Sequence, residues 1–249
     1  FIEGETGWRP SLTDAQWKAL GMILRKIHQA SLPPGSIPSL RQETFDTAAY
    51  SRQIREFDAH FDRHPANADS GNQVELTLCV RWMEHQPTIH TLLAAMETLA
   101  AVLRRRSEPH VICHADLHPG NIIRDYTGHV HLIDWDDVML APKERDFLFV
   151  ADPPEESAAG DGAPPFFQGY GPAEIDWVAL TYYRCERVVQ DLLECAQEVV
   201  FRDDLGEEAK ADAVQLFGEV LAPGGMVEAA WAAAAHLPSD LGFPSRAGT

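Results

Sequence analysis

The chain has 249 residues, 45% of them hydrophobic and 23% charged, which suits one large or two small globular domains with a sizeable core. Acidic residues outnumber Lys and Arg by 38 to 20, and the net charge of −18 argues against a nucleic-acid partner, whose phosphates need a clustered basic surface. The same charge would draw in a cationic ligand, or simply keep the surface soluble. No run of about 18 apolar residues is present, so no membrane span is expected. The start, Phe1-Ile2-Glu3-Gly4-Glu5, is acidic and does not read as a secretory signal.

Taken in chain order, Thr13-Asp14-Ala15-Gln16 is a capping box, and Trp17, Leu20, Leu24 and Ile27 recur at helical spacing, predicting a helix over 13–30. Leu32-Pro33-Pro34-Gly35 ends it. Helices are predicted over 43–61 and 73–84, and a long one from just after Pro87 to Arg106, whose last turn is basic and complements the helix dipole. Then the texture changes. Val111-Ile112-Cys113 and Asn121-Ile122-Ile123-Arg124 are short and β-like, Asp125-Tyr126-Thr127-Gly128 supplies a turn, and Val130-His131-Leu132-Ile133 returns. This predicts a small hairpin, with its flanks covering 110–136, embedded in helices.

Residues 152–165 are expected to form a mobile loop, since Pro153 to Pro165 is rich in Pro, Gly, Ala, Ser and acid. Helices follow over 173–200, 207–220 and 226–235, and 237–249 reads as an irregular tail. The four cysteines, Cys79, Cys113, Cys185 and Cys195, contain no CxxC pair. Cys185 and Cys195 fall on one predicted helix, roughly 15 Å apart and too far for a disulfide. Reduced thiols and a cytoplasmic location are expected.

The chemistry-bearing segment is His114-Ala115-Asp116-Leu117-His118-Pro119-Gly120-Asn121, followed by Ile133-Asp134-Trp135-Asp136. A hairpin returns its second strand beside its first, so Asn121 and Asp134 should converge near Asp116. Two carboxylates and an amide oxygen are hard ligands that suit Mg²⁺, and phosphoryl transfer needs metal ions on the phosphate together with a carboxylate to take a hydroxyl proton. In that logic Asp116 is the base, while Asn121 and Asp134 hold the metal. His114, Asp116 and His118 alternate with a period of two, so a metallohydrolase is a second reading, but it leaves Asn121 without a role.

The pattern His-x-Asp-x-x-x-x-Asn, with an Asp after an apolar strand, resembles the aminoglycoside phosphotransferases, relatives of the protein kinases, in which the corresponding pieces read HRD-x-x-x-x-N and DFG. Ala141 to Asp146 and Tyr182 to Arg187 look most like the spectinomycin phosphotransferase branch. The resemblance implies a mainly α fold with a small β-hairpin, that of a protein-kinase-like C-terminal lobe occupying 9–236 behind a hinge-like segment at 1–8. In that hinge Phe1, Ile2 and Glu3 would meet the nucleotide.

It also implies ATP or GTP as co-substrate, Mg²⁺ as cofactor, and a small, cationic acceptor such as an aminoglycoside or aminocyclitol. Choline, homoserine or fructosamine kinases are near alternatives. Such kinases carry a β-rich N-terminal lobe with a Gly-rich loop and a Lys, and no counterpart precedes Phe1. Gly4-Glu5-Thr6-Gly7 lacks the glycine spacing of a phosphate loop. The 249 residues alone are therefore expected not to turn over ATP appreciably, and a non-catalytic binding fragment is the contrasting reading.

Several residues stay open between two roles. His114 is expected to hold the catalytic loop. His118 faces either phosphate or solvent. Asp136 either assists a second metal or caps a turn. Asp146 is either a buried acceptor bracing the loop, as the resemblance implies, or an exposed acid paired with Lys143 or Arg145. Glu186, Gln190 and Asp191 lie on one predicted helix, where they either bind an amine-bearing substrate or form ordinary ion pairs with Arg184 and Arg187.

Overall fold

The computed structural model describes residues 3–7, 12–31, 40–63, 73–107, 109–150 and 163–241. They divide into two compact units. The first takes Phe1–Thr44 and Ser107–Leu180, the second Phe45–Arg106 and Thr181–Thr249.

The first unit holds two three-stranded sheets and two helices. Strand β1 (Gly4–Thr6) lies antiparallel on β4 (Ile122–Asp125), which pairs antiparallel with β5 (Val130–Leu132). The predicted hairpin is therefore present, with Ile122 opposite Leu132 and Arg124 opposite Val130. Its turn is tied by Asp125, whose side chain accepts from the Thr127 hydroxyl and from the amides of Thr127 and His129. These bonds, the Thr127 hydroxyl first and His131 next, hold the Asp125 carboxyl well below the usual carboxylate range.

The predicted strand Val111–Cys113 forms β3, but it belongs to the other sheet. There β6 (Met139–Ala141) lies between β3, antiparallel, and β2 (Arg41–Gln42), parallel. Helix α1 (Asp14–His28) begins at the expected capping box, with Thr13 and Gln16 exchanging side-chain and backbone bonds. It packs on α4 (Pro165–Tyr170) through two glycines: a Cβ on Gly21 would overlap the Phe166 carbonyl, and one on Gly169 the Lys18 carbonyl. Leu20, Leu24, Leu117, Ile122, Phe147, Phe166 and Leu180 fill the core between these elements.

The expected mobile loop lies outside the described residues over 151–162. The rest of it is ordered, because Pro164 and Pro165 start α4. The Leu32-Pro33-Pro34-Gly35 stop also lies outside them.

The second unit is helical: α2 (Ala48–Arg63), α3 (Gln73–Leu103), most of α5 (Trp177–Phe201), α6 (Glu207–Leu221) and α7 (Met226–Ala234). Helix α2 starts five residues later than expected: its first turn closes from the Ser51 amide to the Thr47 carbonyl, and the Asp46 side chain just before it accepts the Ala48 amide at 3.0 Å.

Helix α3 also corrects the sequence reading. A break was expected before Pro87, yet one helix runs through it. Proline removes one backbone bond, and Asp58 on α2 offsets the loss by gripping both sides of the defect. Its Oδ1 accepts from Trp82 Nε1 and Gln86 Nε2, each at 2.9 Å, and its Oδ2 lies 2.8 Å from His90 Nε2. Asp58→Ala should therefore lower the unfolding free energy by about 2 kcal/mol, the worth of hydrogen bonds to a charged group, measured by urea denaturation. An unchanged midpoint would remove Asp58 as the clamp.

Phe57 and Phe61 stack on each other, Trp82 packs against both at a tilt, and Trp82 stacks in turn on Phe217. All four cysteines are buried free thiols, and burial pushes those of Cys185 and Cys195 up to about 12. The expected tail begins with a single 3-10 turn at Ser239–Leu241, and 242–249 lie outside the described residues. No helix among the described residues is long and apolar enough to cross a membrane.

Candidate active site

The loop between β3 and β4 carries Asp116, and the following 3-10 turn Pro119–Asn121 carries Asn121. Asn121 is buried, and its Nδ2 donates to both the main-chain oxygen of Asp116 (2.9 Å) and its carboxylate Oδ2 (3.1 Å). One side chain thereby fixes the plane of the other. Because Nδ2 faces two acceptors, the amide is oriented with Oδ1 as its remaining acceptor.

His118 caps the same turn. Its Nδ1 accepts the Gly120 amide proton at 3.0 Å, which places the ring proton on Nε2, 3.5 Å from Asp116 Oδ2. Asp116 and His118 are each about one quarter exposed, at 26%.

Asp134 follows β5. The residue before it is held from both sides: the Ile133 amide donates to the Asn121 carbonyl at 3.0 Å, and the Ile133 carbonyl accepts from His114 Nε2 at 2.8 Å. The hairpin thus brings the start of Asp134 beside the Asp116–Asn121 pair, and Asp134 itself is exposed with φ of 61°. A non-glycine residue there stores on the order of 1–3 kcal/mol of strain, a feature that clusters at functional sites. Asp136 is exposed nearby in the chain. Trp135 covers His114, their rings 4.6 Å apart.

The same strain occurs at Ala115, with φ of 73°. Asp146 compensates it. This fully buried carboxylate accepts the His114 amide on Oδ2 (2.9 Å) and the Ala115 amide on Oδ1 (2.8 Å). Lys143 pairs instead with Glu144, and Arg145 with Glu43, so neither holds Asp146 as a surface partner in the pairs seen. His28 Nε2 lies 3.0 Å from Asp146 Oδ2.

His28, Cys113 and Asp146 form a group of three potential metal ligands whose ligand atoms lie within 4.8 Å of one another. Here they read as a hydrogen-bonded core. The Cys113 thiol donates to the Ala141 and Pro142 carbonyls, and burial, with Asp146 second, pushes its pKa well up and keeps it protonated.

The family model described as "Phosphotransferase enzyme family" (APH) matches residues 1–182, a span that includes every residue just named. The chain belongs to the phosphotransferase enzyme family. Among solved structures it is similar to spectinomycin phosphotransferase APH(9)-Ia in complex with ADP and spectinomycin, at 29% identity and a TM-score of 0.79, covering 94% of this chain and 70% of that one. The AMP-bound form of the same enzyme gives 29%, 0.76, 93% and 70%. An aminoglycoside phosphotransferase from Alicyclobacillus acidocaldarius shares the fold at 17% identity and a TM-score of 0.55, covering 95% of this chain and 71% of that one. No curated protein gives a significant match. The fold is therefore that of the kinase-like phosphotransferases, mainly helical with small sheets.

Phe1 and Ile2 lie outside the described residues, and Glu3 is exposed just before β1. In the second unit, Glu186 is buried and accepts the Tyr182 hydroxyl at 2.9 Å, Gln190 donates to Glu194, and Asp191 pairs with Arg187 at 2.8 Å. Arg184 is buried and donates to the Ala229 carbonyl at 2.9 Å.

His28 and Tyr170 are not among the residues expected from the sequence. A signal for His28 existed: it sits four residues after Leu24 on the buried face of α1, an expensive place for an imidazole without a task.

Proposed function

We propose that this chain is the catalytic lobe of a small-molecule kinase that moves the γ-phosphoryl group of ATP or GTP to a hydroxyl of a small, cationic acceptor, of aminoglycoside or aminocyclitol type, in the cytoplasm. The observation that carries the reading is the Asn121 amide locked onto the Asp116 carboxylate beside the end of β5. It is supported by the family and by the likeness to an enzyme solved with ADP and spectinomycin.

Asp116 would accept the proton of the acceptor hydroxyl. As that oxygen bonds to the γ-phosphorus, the bond from phosphorus to the β–γ bridging oxygen breaks, leaving a phosphoester and a nucleoside diphosphate. Asn121 keeps Asp116 aimed, and His118 Nε2–H offers a donor on the same side. The donor set fits Mg²⁺: Asn121 has its oxygen left once its nitrogen is spent on Asp116, and Asp134 is an exposed carboxylate next to it in the hairpin, with Asp136 in reserve. Bound there, Mg²⁺ would neutralise the phosphate oxygens. Phe1, Ile2 and Glu3 would meet the nucleotide base, and His118 its phosphates. Glu186, Gln190 and Asp191 would face the amines of the acceptor, as the net charge of −18 favours.

The test is a phosphoryl-transfer panel with ATP and GTP, Mg²⁺, and spectinomycin, other aminoglycosides, choline, homoserine and a fructosamine as acceptors. It is run on the full-length protein and on the 249 residues alone. Transfer to an aminocyclitol by the former, and little by the latter, is expected. A preference for choline would move the chain to another kinase class. No transfer to any acceptor would leave the binding-fragment reading standing.

A further inference from the structure

We propose that His28, 88 residues upstream of Asp116, is a positioning residue that sets the catalytic loop by holding the Asp146 carboxylate in one orientation. The proposal rests on the reading of Asp116 as the base.

His28 closes the last turn of α1, and its side chain is 3% exposed. Both ring nitrogens are engaged: Nδ1 lies 2.8 Å from the Tyr170 hydroxyl and Nε2 3.0 Å from Asp146 Oδ2. The direction of these bonds follows from the partners. An ionised carboxylate only accepts, so Nε2 carries the proton and donates it to Asp146. Burial, with Glu144, Cys113 and Asp146 adding to it, holds the Tyr170 hydroxyl protonated well above the usual tyrosine range, so the phenol donates to Nδ1. The Phe147 and Tyr170 rings, with centroids 6.1 and 5.6 Å away, pack on the imidazole and fix its plane.

A one-way chain results: Tyr170 hydroxyl to His28, His28 to Asp146, and the amides of His114 and Ala115 onto the same carboxylate. Oδ2 serves His28 and the His114 amide together, so loss of His28 removes one of the three donors that fix the carboxylate and leaves its orientation to the two amides alone. Ala115 sits at φ of 73°, a conformation an alanine leaves readily when its amide loses a fixed acceptor. Asp116 is the next residue. A small rotation of Asp146 is thereby passed to the base, although no residue that touches substrate is itself substituted.

The full-length protein with His28→Phe, His28→Gln or Tyr170→Phe provides the test, with two readouts: steady-state kinetics and NMR hydrogen exchange of the His114 and Ala115 amides. His28→Phe keeps an aromatic ring and removes both bonds. It should lower kcat by about 10- to 100-fold through misplacement alone, with KM for nucleotide and acceptor within about threefold. Exchange at the two amides should quicken at least about tenfold. His28→Gln, whose amide can still donate to Asp146, should recover most of both.

Wild-type kcat in His28→Phe overturns the proposal. So does an equal loss in Phe and Gln with unchanged exchange at the two amides, which would mark a packing role. If His28→Phe does not fold, Tyr170→Phe decides: it should lower kcat and quicken exchange more mildly, and wild-type values in both readouts overturn the chain. Exchange does not depend on activity. Faster exchange in a protein that transfers no phosphate would uphold the brace and sink the kinase reading instead.

Discussion

Asp116→Asn lowers kcat by roughly a thousandfold, the middle of the range for loss of a general base, while the protein folds as before. The substitution is nearly isosteric. The new amide oxygen can still accept from Asn121 Nδ2, and the main-chain oxygen of residue 116 keeps its own bond to that nitrogen. What disappears is a proton acceptor and one negative charge. Unfolding free energy should stay within about 1 kcal/mol of wild type, since the side chain is partly exposed and an amide oxygen can still accept from Asn121. Steady-state kinetics on the full-length protein, with circular dichroism as the folding control, measures both. A kcat within tenfold of wild type would remove Asp116 from the role of base, whatever the substrate.

Asp146→Asn has a different signature, because it damages stability and rate together. The wild-type carboxylate is fully buried and accepts three donors: the His114 and Ala115 amides and His28 Nε2. An asparagine must turn its own NH₂ toward at least one of them, leaving donor against donor in a place without solvent. Breaking a buried charged arrangement in this way costs about 3–5 kcal/mol, and for a chain of this size that lowers Tm by roughly 10 °C. At temperatures where the variant is folded, kcat should still be down by about a hundredfold, since Ala115 is no longer held and Asp116 drifts. Thermal melts followed by kinetics well below the transition distinguish the two effects. A Tm within about 2 °C of wild type would show that Asp146 bears no such load.

These two expectations differ in how far the sequence could lead to them. The contact of Asn121 with Asp116 and the strand return that ends before Asp134 were legible because these relations are local. Five residues and one tight loop separate the pair, and a single hairpin carries the chain back. The Asp125 to Gly128 turn and the alternation of the two strands specify that return. For Asp146 the family resemblance implied a buried brace, but its neighbours Lys143 and Arg145 offered an exposed ion pair as well, and nothing local chose between them. The structure places it 31 and 32 residues from the amides it holds. His28, 118 residues from Asp146, had no local cue to its partner.

Helix boundaries divide along the same line. The Thr13–Gln16 capping box announced α1 because both partners lie within one turn. The continuity of α3 through Pro87 was hidden, since Asp58, the group that grips Trp82, Gln86 and His90, belongs to another helix. Pairing of Arg41–Gln42 with Met139–Ala141 was equally out of reach: a two-residue strand has no periodicity to read.

The chain's own order of residues thus determined the hairpin, the loop from Asp116 to Asn121 and most helices, where every bonding partner sits within a turn or a single strand return. Tertiary structure alone decided which buried acceptor holds Ala115 in its strained conformation and what keeps α3 whole across a proline. The reason is the reach of a hydrogen bond, about 3 Å in space with no limit in sequence, so that spacing can reveal a partner only when the backbone between the two groups has one short path to take.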